Sequence, residues 1–359
     1  METDLIPNTK RVRISPQALA HNRMRKMVLE AAPEAARLGG ARPMTALALP
    51  ALIGLHWGMA WLVGNSDLAA CFLASFFIGQ LIIHSGGGLL HETAHRLVFH
   101  RNGPKLAFDL GLELLLGSFG KQLTYQFDHV TSHHAHLGDY ERDYEHEDIC
   151  SFNARRKIRH DNPAMQRFLT CLTLALHLLP FGFILSDFIL PRLYGQASGL
   201  VAKDSQRDIR ARAVPMKLRA AFIATSVGLN LFLLWAFGPL GWLYHNWSLS
   251  LFLGKMGISN LGQSLSEHEG DNENAPTYSD YRLQNLFLFN TGYHNEHHTF
   301  PNVSWWNLPR LRQLAPRVFN RENPRNYFQL WLRHVTEDFS PSRRNRLMSD
   351  DLNTRCPKQ

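Results

Sequence analysis

Cysteine is scarce in this 359-residue chain, and the four present (Cys71, Cys150, Cys171 and Cys356) form neither a CxxC pair nor a disulfide-like spacing. That rules out a disulfide framework and a rubredoxin-like iron site. Cys71 and Cys171 lie in apolar stretches and read as packing residues. Cys356 stands four from the end, but the Pro357 and Lys358 that follow are not the aliphatic residues of a prenylation box. A cleavable signal peptide is not expected, because about forty mostly polar residues precede the first apolar block. Internal repeats at solenoid or propeller periods are absent. So is any nucleic-acid-binding motif, although the formal charge is +8. That excess points to anionic lipid headgroups rather than to nucleic acid.

The apolar residues, 45% of the chain, are concentrated in blocks. Leu47 to Val63, Leu68 to Ile83, Ala220 to Phe237 and Leu240 to Met256 are almost free of charge, with only Lys255 interrupting the last. Each approaches the ~20 residues a helix needs to cross a ~30 Å hydrocarbon core. The negative mean hydropathy, −0.21, then assigns large polar regions to the outside of the bilayer. A soluble protein with four buried core helices is the bland alternative. The pattern favours an all-α integral membrane protein with about four transmembrane helices and a cytoplasmic, histidine-rich helical cap.

Topology follows from turns and charge. A short turn at Gly64 to Asp67 makes the first two spans an antiparallel hairpin, so the leader and His91 lie on one side. Lys10, Arg11, Arg13, Arg23, Arg25 and Lys26 precede the first span, and Arg192, Lys203, Arg207, Arg210, Arg212, Lys217 and Arg219 precede the third. Basic flanks stay cytoplasmic. Phe168 to Leu190 is apolar but broken at Pro180 and Gly182, and crossing there would place the arginine-rich segment outside. It is therefore expected to lie in the interface as a helix pair. Leu106 to Phe119, interrupted by Asp109 and Glu113, is not expected to cross. The run 220–258 is expected to hinge at Gly238-Pro239. The resulting division is residues 1–43 as a basic leader with an interfacial helix around Ala18 to Arg37, 44–338 as the membrane domain, and 339–359 as a polar tail.

Histidine is what the chain has in excess. Nineteen occur, and eight fall in three windows: His91 and His95 in HETAH, His129, His133 and His134 in HVTSHH, and His294, His297 and His298 in HNEHH. Imidazole is the usual neutral nitrogen ligand for iron, copper, nickel and zinc. Eight rings are too many for one ion of four to six ligands, so the simplest reading is a site for two metals. On a helix, His91 and His95 share a face, as do His294, His297 and His298. His129, His133 and His134 at i, i+4 and i+5 fan wider, which suits ligands divided between two ions.

The order HxxxH, HxxxHH, HxxHH, set between pairs of spans, resembles the membrane fatty acid desaturase and hydroxylase superfamily. Phe289-Asn290-Thr291-Gly292-Tyr293-His294-Asn295-Glu296-His297-His298-Thr299-Phe300-Pro301 is similar to sphingolipid desaturases in particular, and the second box ends in a family-like Ala135-His136-Leu137-Gly138-Asp139. The resemblance implies a non-haem di-iron centre, two iron ions with O2 as co-substrate, held by histidines. It also implies a ninth ligand upstream of the third box, a position matched by His268. Ser264 stands where some relatives carry an asparagine, and the second box has three intervening residues where the sphingolipid enzymes have two. The implied activity is insertion of a double bond into a long-chain acyl or sphingolipid-like lipid. A lipid, alkyl or carotenoid-type hydroxylase with the same ligands is the nearest alternative. The chain contains no cytochrome-type haem motif, so electrons come from a separate donor, cytochrome b5-like or ferredoxin-like, for which a basic cytoplasmic surface suits an acidic partner. The implied partners are thus a lipid substrate, that donor and the membrane lipids.

Asp128, Glu92, Glu267 and Glu296 are the acids nearest the ligands and could orient ring N–H groups, simple exposure being the bland reading of each. HETAH also fits the zinc-protease helix with Glu92 as base, a reading that leaves the other two clusters unexplained. A metal transporter would want histidines or acids inside the spans, and the lone His56 there reads as a packing residue. His84, His100 and His136 are weaker candidates for the metal surroundings, His177 and His245 are expected at the interface, and Trp305 and Trp306 are expected to anchor the cap to headgroups. Asn246-Trp247-Ser248 matches a glycosylation triplet, but it lies inside a span.

Overall fold

The computed structural model describes residues 14–137, 143, 164, 168, 172, 175–176, 178–182, 214–253, 258–268 and 277–333. The arginine-rich segment, most of the expected interfacial helix pair with His177, and the tail from Ser340 lie outside the described residues. Among those described the architecture is helical, with two isolated β-bridges, Gly40 to Val303 and Ser279 to Glu322, and no strand.

The first helix, α1 (Pro16–Ala31), begins at Ser15, whose hydroxyl accepts from the Ala18 N–H at 3.2 Å. It ends before Pro33, where a 3₁₀ turn, Pro33–Leu38, takes over. The expected helix to Arg37 is therefore cut short, because proline disfavours the α conformation in the residue before it.

Three apolar stretches are long enough to cross a membrane: Pro43–Gly64, Leu68–Ala94 and Met216–His268, of 22, 27 and 53 residues. We label their helical parts α2 (Ala48–Gly64), α3 (Leu68–Ala94), α6 (Met216–Leu253) and α7 (Ile258–His268). α2 and α3 form the expected hairpin. Their histidine-side ends are tied by the Arg42 N–H donating to the Leu97 carbonyl at 2.7 Å. α6 is broken at Gly238, with φ 70° and ψ −176°, just before Pro239. Only glycine adopts that backbone readily, so one apolar run becomes two antiparallel halves. Among the described residues three helices are thus long and apolar enough to cross a membrane, the third folded at the Gly238 hinge that the sequence predicts.

Residues 106–116 of the block Leu106 to Phe119 lie in α4 (Asn102–Leu116), whose 15 residues span only ~22 Å. It packs against α2, α3 and α6, with Leu112, Leu115 and Leu116 buried beside Ile83 and Leu249. The chain then reverses through Gly117, Phe119 and Gly120, all at positive φ, and returns as α5 (residues 122–136). Buried Glu113 anchors the reversal. It accepts from the Ser118 hydroxyl at 3.0 Å, the Gly120 N–H at 3.1 Å, Gln122 and the Ser226 hydroxyl. Of the two acids that interrupt this block, Glu113 thus serves a helical hairpin that enters the bundle and turns back, while Asp109 accepts from the Thr93 hydroxyl at 2.7 Å and Lys105 at 2.6 Å.

The remaining described helices are α8 (His294–Thr299), α9 (Leu308–Leu314) and α10 (Tyr327–Arg333). Behind α8 a satellite core joins Val28 of α1 to Phe300, Val303, Leu308, Leu311 and Phe319.

Candidate metal centre

Each histidine box sits where a helix ends or changes pitch. His91 occupies the last turn of α3, and His95 caps it. The second box lies in a π-helical turn, Phe127–His133. Its i to i+5 bonding widens the helix, so His133 and His134 lie nearer to one face with His129 than an α-helix would allow. The third box opens α8 behind a sharp turn in which Phe289 and Asn290 both have φ 52°. That turn is fastened by the Gly292 N–H donating to Asn285 Oδ1 at 2.9 Å, Asn290 Nδ2 to the Trp305 carbonyl at 2.9 Å, and the Asn295 N–H to Ser279 Oγ at 3.0 Å. Gly292 has no room for a side chain, since a Cβ would strike the Asp280 carbonyl and Asn285.

All nine candidate rings converge at this end of the bundle. Ligand atoms of His91, His95, His129 and His297 lie within 4.8 Å of one another, and so do those of His133, His268 and His294. His134 and His298 link the groups, with stacked rings 4.3 Å apart. His297 Nε2 is 3.0 Å from Nε2 of both His91 and His134, and His134 Nε2 is 3.3 Å from that of His129. On the other side His133 and His298 stand 3.1 Å apart through Nε2, as do His268 and His294.

This crowding fits a metal. Imidazoles bound at ~2.0–2.1 Å to one ion have neighbouring nitrogens about 2.9–3.4 Å apart, and the observed separations fall in that range. Nε2 of His95 is buried without a hydrogen-bond partner. Burial, then the neighbouring imidazoles, pushes His95, His134, His294, His297 and His298 well below the ordinary histidine pKa. The rings are thus held neutral, the form that ligates.

Carboxylates back the rings unevenly. Glu267 Oε1 is 3.5 Å from His294 Nδ1, and Glu92 Oε1 is 3.8 Å from His91 Nδ1. Glu92 also accepts from the Trp305 N–H at 3.2 Å, tying α3 to the loop after the third box. Glu296 faces away, accepting from the Ser279 and Tyr281 hydroxyls at 2.7 Å each, and burial lifts its carboxyl to about 7. Asp128 is buried next to His129 in the chain. Sequence reasoning missed Asp143, whose carboxylate lies 3.0 and 3.1 Å from His133 Nδ1 with neither residue exposed. The signal was available: metal-ligating histidines usually donate their second N–H to a carboxylate, and Asp143 stands nine residues past His134.

The zinc-protease reading of HETAH does not account for this arrangement, since both its histidines join His129 and His297 and its glutamate is tied to Trp305. His84, beside Phe252, and His100, which accepts from the Ala41 N–H at 3.3 Å, belong to neither group. His245 is not interfacial. It is fully buried, with Nδ1 3.1 Å from His56 Nε2, because the two spans that carry them pack together there. His56 is indeed a satisfied packing residue. Asn246 is likewise engaged, donating to Asn230 Oδ1 and the Trp242 carbonyl at 3.0 Å. Trp305 is a packing residue, donating to Thr45 Oγ1 at 3.0 Å, whereas Trp306 is exposed.

Comparison with known proteins gives the same picture. The family model described as fatty acid desaturase matches residues 66–331. A putative sphingolipid delta(4)-desaturase/C4-monooxygenase of Caenorhabditis elegans is 26% identical over 306 residues, covering 83% of this chain and 74% of the relative. A sphingolipid delta(4)-desaturase of Schizosaccharomyces pombe is 26% identical over 320 residues, covering 84% and 77%. The rat sphingolipid delta(4)-desaturase DES1 is 41% identical over a shorter stretch of 78 residues, 22% of this chain and 23% of the relative. No solved structure matches.

Proposed function

This chain belongs to the fatty acid desaturase family, and we propose that it is a membrane di-iron oxygenase that inserts a double bond into the alkyl chain of a sphingolipid-like lipid. The observation that carries this reading is the convergence of nine imidazoles, seven of them in two groups with His134 and His298 between, at one end of a bundle of apolar helices. His91, His95, His129 and His297 would hold one iron and His133, His268 and His294 the other, with His134 and His298 between them. A bound iron pair supplies the oxidant that an unactivated methylene requires and that side-chain acids and bases cannot provide. Overall, O2, two electrons and two protons take two hydrogens from adjacent carbons, leaving a double bond and two waters.

The chain's own residues do the positioning. Asp143 fixes the His133 tautomer from behind and Glu267 stands 3.5 Å behind His294 Nδ1, so that the nitrogens facing inward are free to ligate. Residues 44–338 would form the membrane domain, flanked by the basic leader 1–43 and the polar tail 339–359. Basic flanks before the first and third spans favour a cytoplasmic metal site, where a separate donor, cytochrome b5-like or ferredoxin-like, would deliver electrons.

Hydroxylation is the second reading, since the same ligands would serve and the printed name of the Caenorhabditis elegans relative includes a C4-monooxygenase. The experiment is purification of the full chain with iron, metal counting, and lipid analysis of an expressing host. About two irons per chain and a new unsaturated sphingolipid-like product support desaturation. A new alcohol supports hydroxylation, and one tight zinc with no altered lipid refutes both.

A further inference from the structure

The helix α1 precedes the residues matched by the family model, 66–331, yet it touches two of the three histidine boxes. At its start the Ser15 hydroxyl donates to the Leu137 carbonyl at 2.8 Å, and the Ser15 N–H donates to the Ala135 carbonyl at 3.3 Å. Both acceptors lie just past the second box. Less than two turns further along, buried His21 reaches the third. Its Nδ1 is 3.0 Å from Thr299 Oγ1, the residue after His298, and its Nε2 is 3.3 Å from Thr277 Oγ1. The two hydroxyls are themselves committed to Asn295, Thr299 donating to its carbonyl at 2.7 Å and Thr277 to its Oδ1 at 3.0 Å. The His21 ring lies 5.2 Å from that of His298, tilted by 31°. One helix therefore grips the end of α5 and the end of α8, the segments that bring His133 and His298 to a 3.1 Å contact.

We propose that His21 is a positioning residue of the metal centre. With a threonine hydroxyl beside each ring nitrogen, it backs the His298 ring and locks the second and third boxes in register through α1. His21 is a member of neither ligand group, and it acts on the centre through His298 and Thr299. Residues that orient metal ligands typically change metal affinity by about 10–100-fold when replaced. This inference rests on the nine-histidine site holding metal.

The test uses the full chain in detergent with Co(II) as the probe, since its visible bands report ligand number and geometry. Three quantities are read: the cobalt count, the band positions, and the rate of release to a chelator. His21→Phe keeps a ring and removes both nitrogens, while Thr299→Val, of similar shape, frees Nδ1 but not Nε2, gives up the bond to the Asn295 carbonyl, and covers the case in which the first variant does not fold. Both should still take up cobalt, show shifted bands and release it about 10-fold faster or more. A variant that folds and keeps the wild-type bands and release rate overturns the proposal, even if its metal-free melting temperature falls, because His21 would then be packing alone. Wild-type protein that takes up no cobalt overturns the metal site itself, a failure distinct from the former.

Discussion

Asp143 and His133 form a fully buried carboxylate–imidazole pair, Oδ1 to Nδ1 3.0 Å, whose far nitrogen stands 3.1 Å from His298 Nε2. The carboxylate fixes the proton on Nδ1, so Nε2 presents its lone pair inward.

Asp143→Asn should preserve the fold and weaken metal binding by about 10–100-fold. A competitive chelator titration of the purified protein checks this. Affinity equal to wild type would show that the carboxylate leaves the ring's ligating nitrogen unaffected.

His297 faces both His91 and His134 at 3.0 Å. His297→Ala should lower the metal count by about one per chain and abolish lipid product, while membrane insertion stays intact. Metal analysis with lipid profiling checks it, and surviving activity would contradict the site assignment.

Glu113 gathers four donors in the α4–α5 reversal. Glu113→Leu leaves those donors buried without an acceptor, at about 1–3 kcal/mol for each that finds no other partner. The expected result is a marked fall in melting temperature and in folded yield, read by thermal denaturation in detergent. A melt unchanged from wild type would show that the reversal does not depend on this carboxylate.

Gly238 has open space around its missing Cβ, so substitution there tests backbone strain alone. Gly238→Ala should destabilise by about 1–3 kcal/mol, with the metal count unaltered. Gly228→Ala, a control in the same helix with similar space and no positive φ, should be near neutral or stabilising.

Removal of bound metal should lower the melting temperature, because a ligand that binds only the native chain stabilises it by mass action. Scans before and after chelation check this, and His297→Ala should show a smaller difference than wild type.

Several of these features could be read without coordinates. Four runs almost free of charge mark the apolar helices, and Gly238-Pro239 marks the break in the last pair. The histidine spacings name eight of the nine rings that gather, and the family resemblance supplies His268. What escaped was set by contacts between distant segments. His245 seemed interfacial until its partner His56, 189 residues away, placed it in the bundle interior. Trp305 looked like a headgroup anchor, but Thr45 and Glu92 hold it within the protein.

The amino-acid order alone determined which residue types are present for metal chemistry and which stretches seek hydrocarbon, because both are local properties of composition and period. Tertiary structure alone decided how seven rings fall into two groups with two more between, that Asp143 rather than Glu296 backs a ring, and that α1 closes over the third box. Those outcomes depend on where a π turn, a left-handed pair at Phe289 and Asn290, and a proline-cut helix place side chains across hundreds of residues. Spacing along the chain carries no record of such long-range distances.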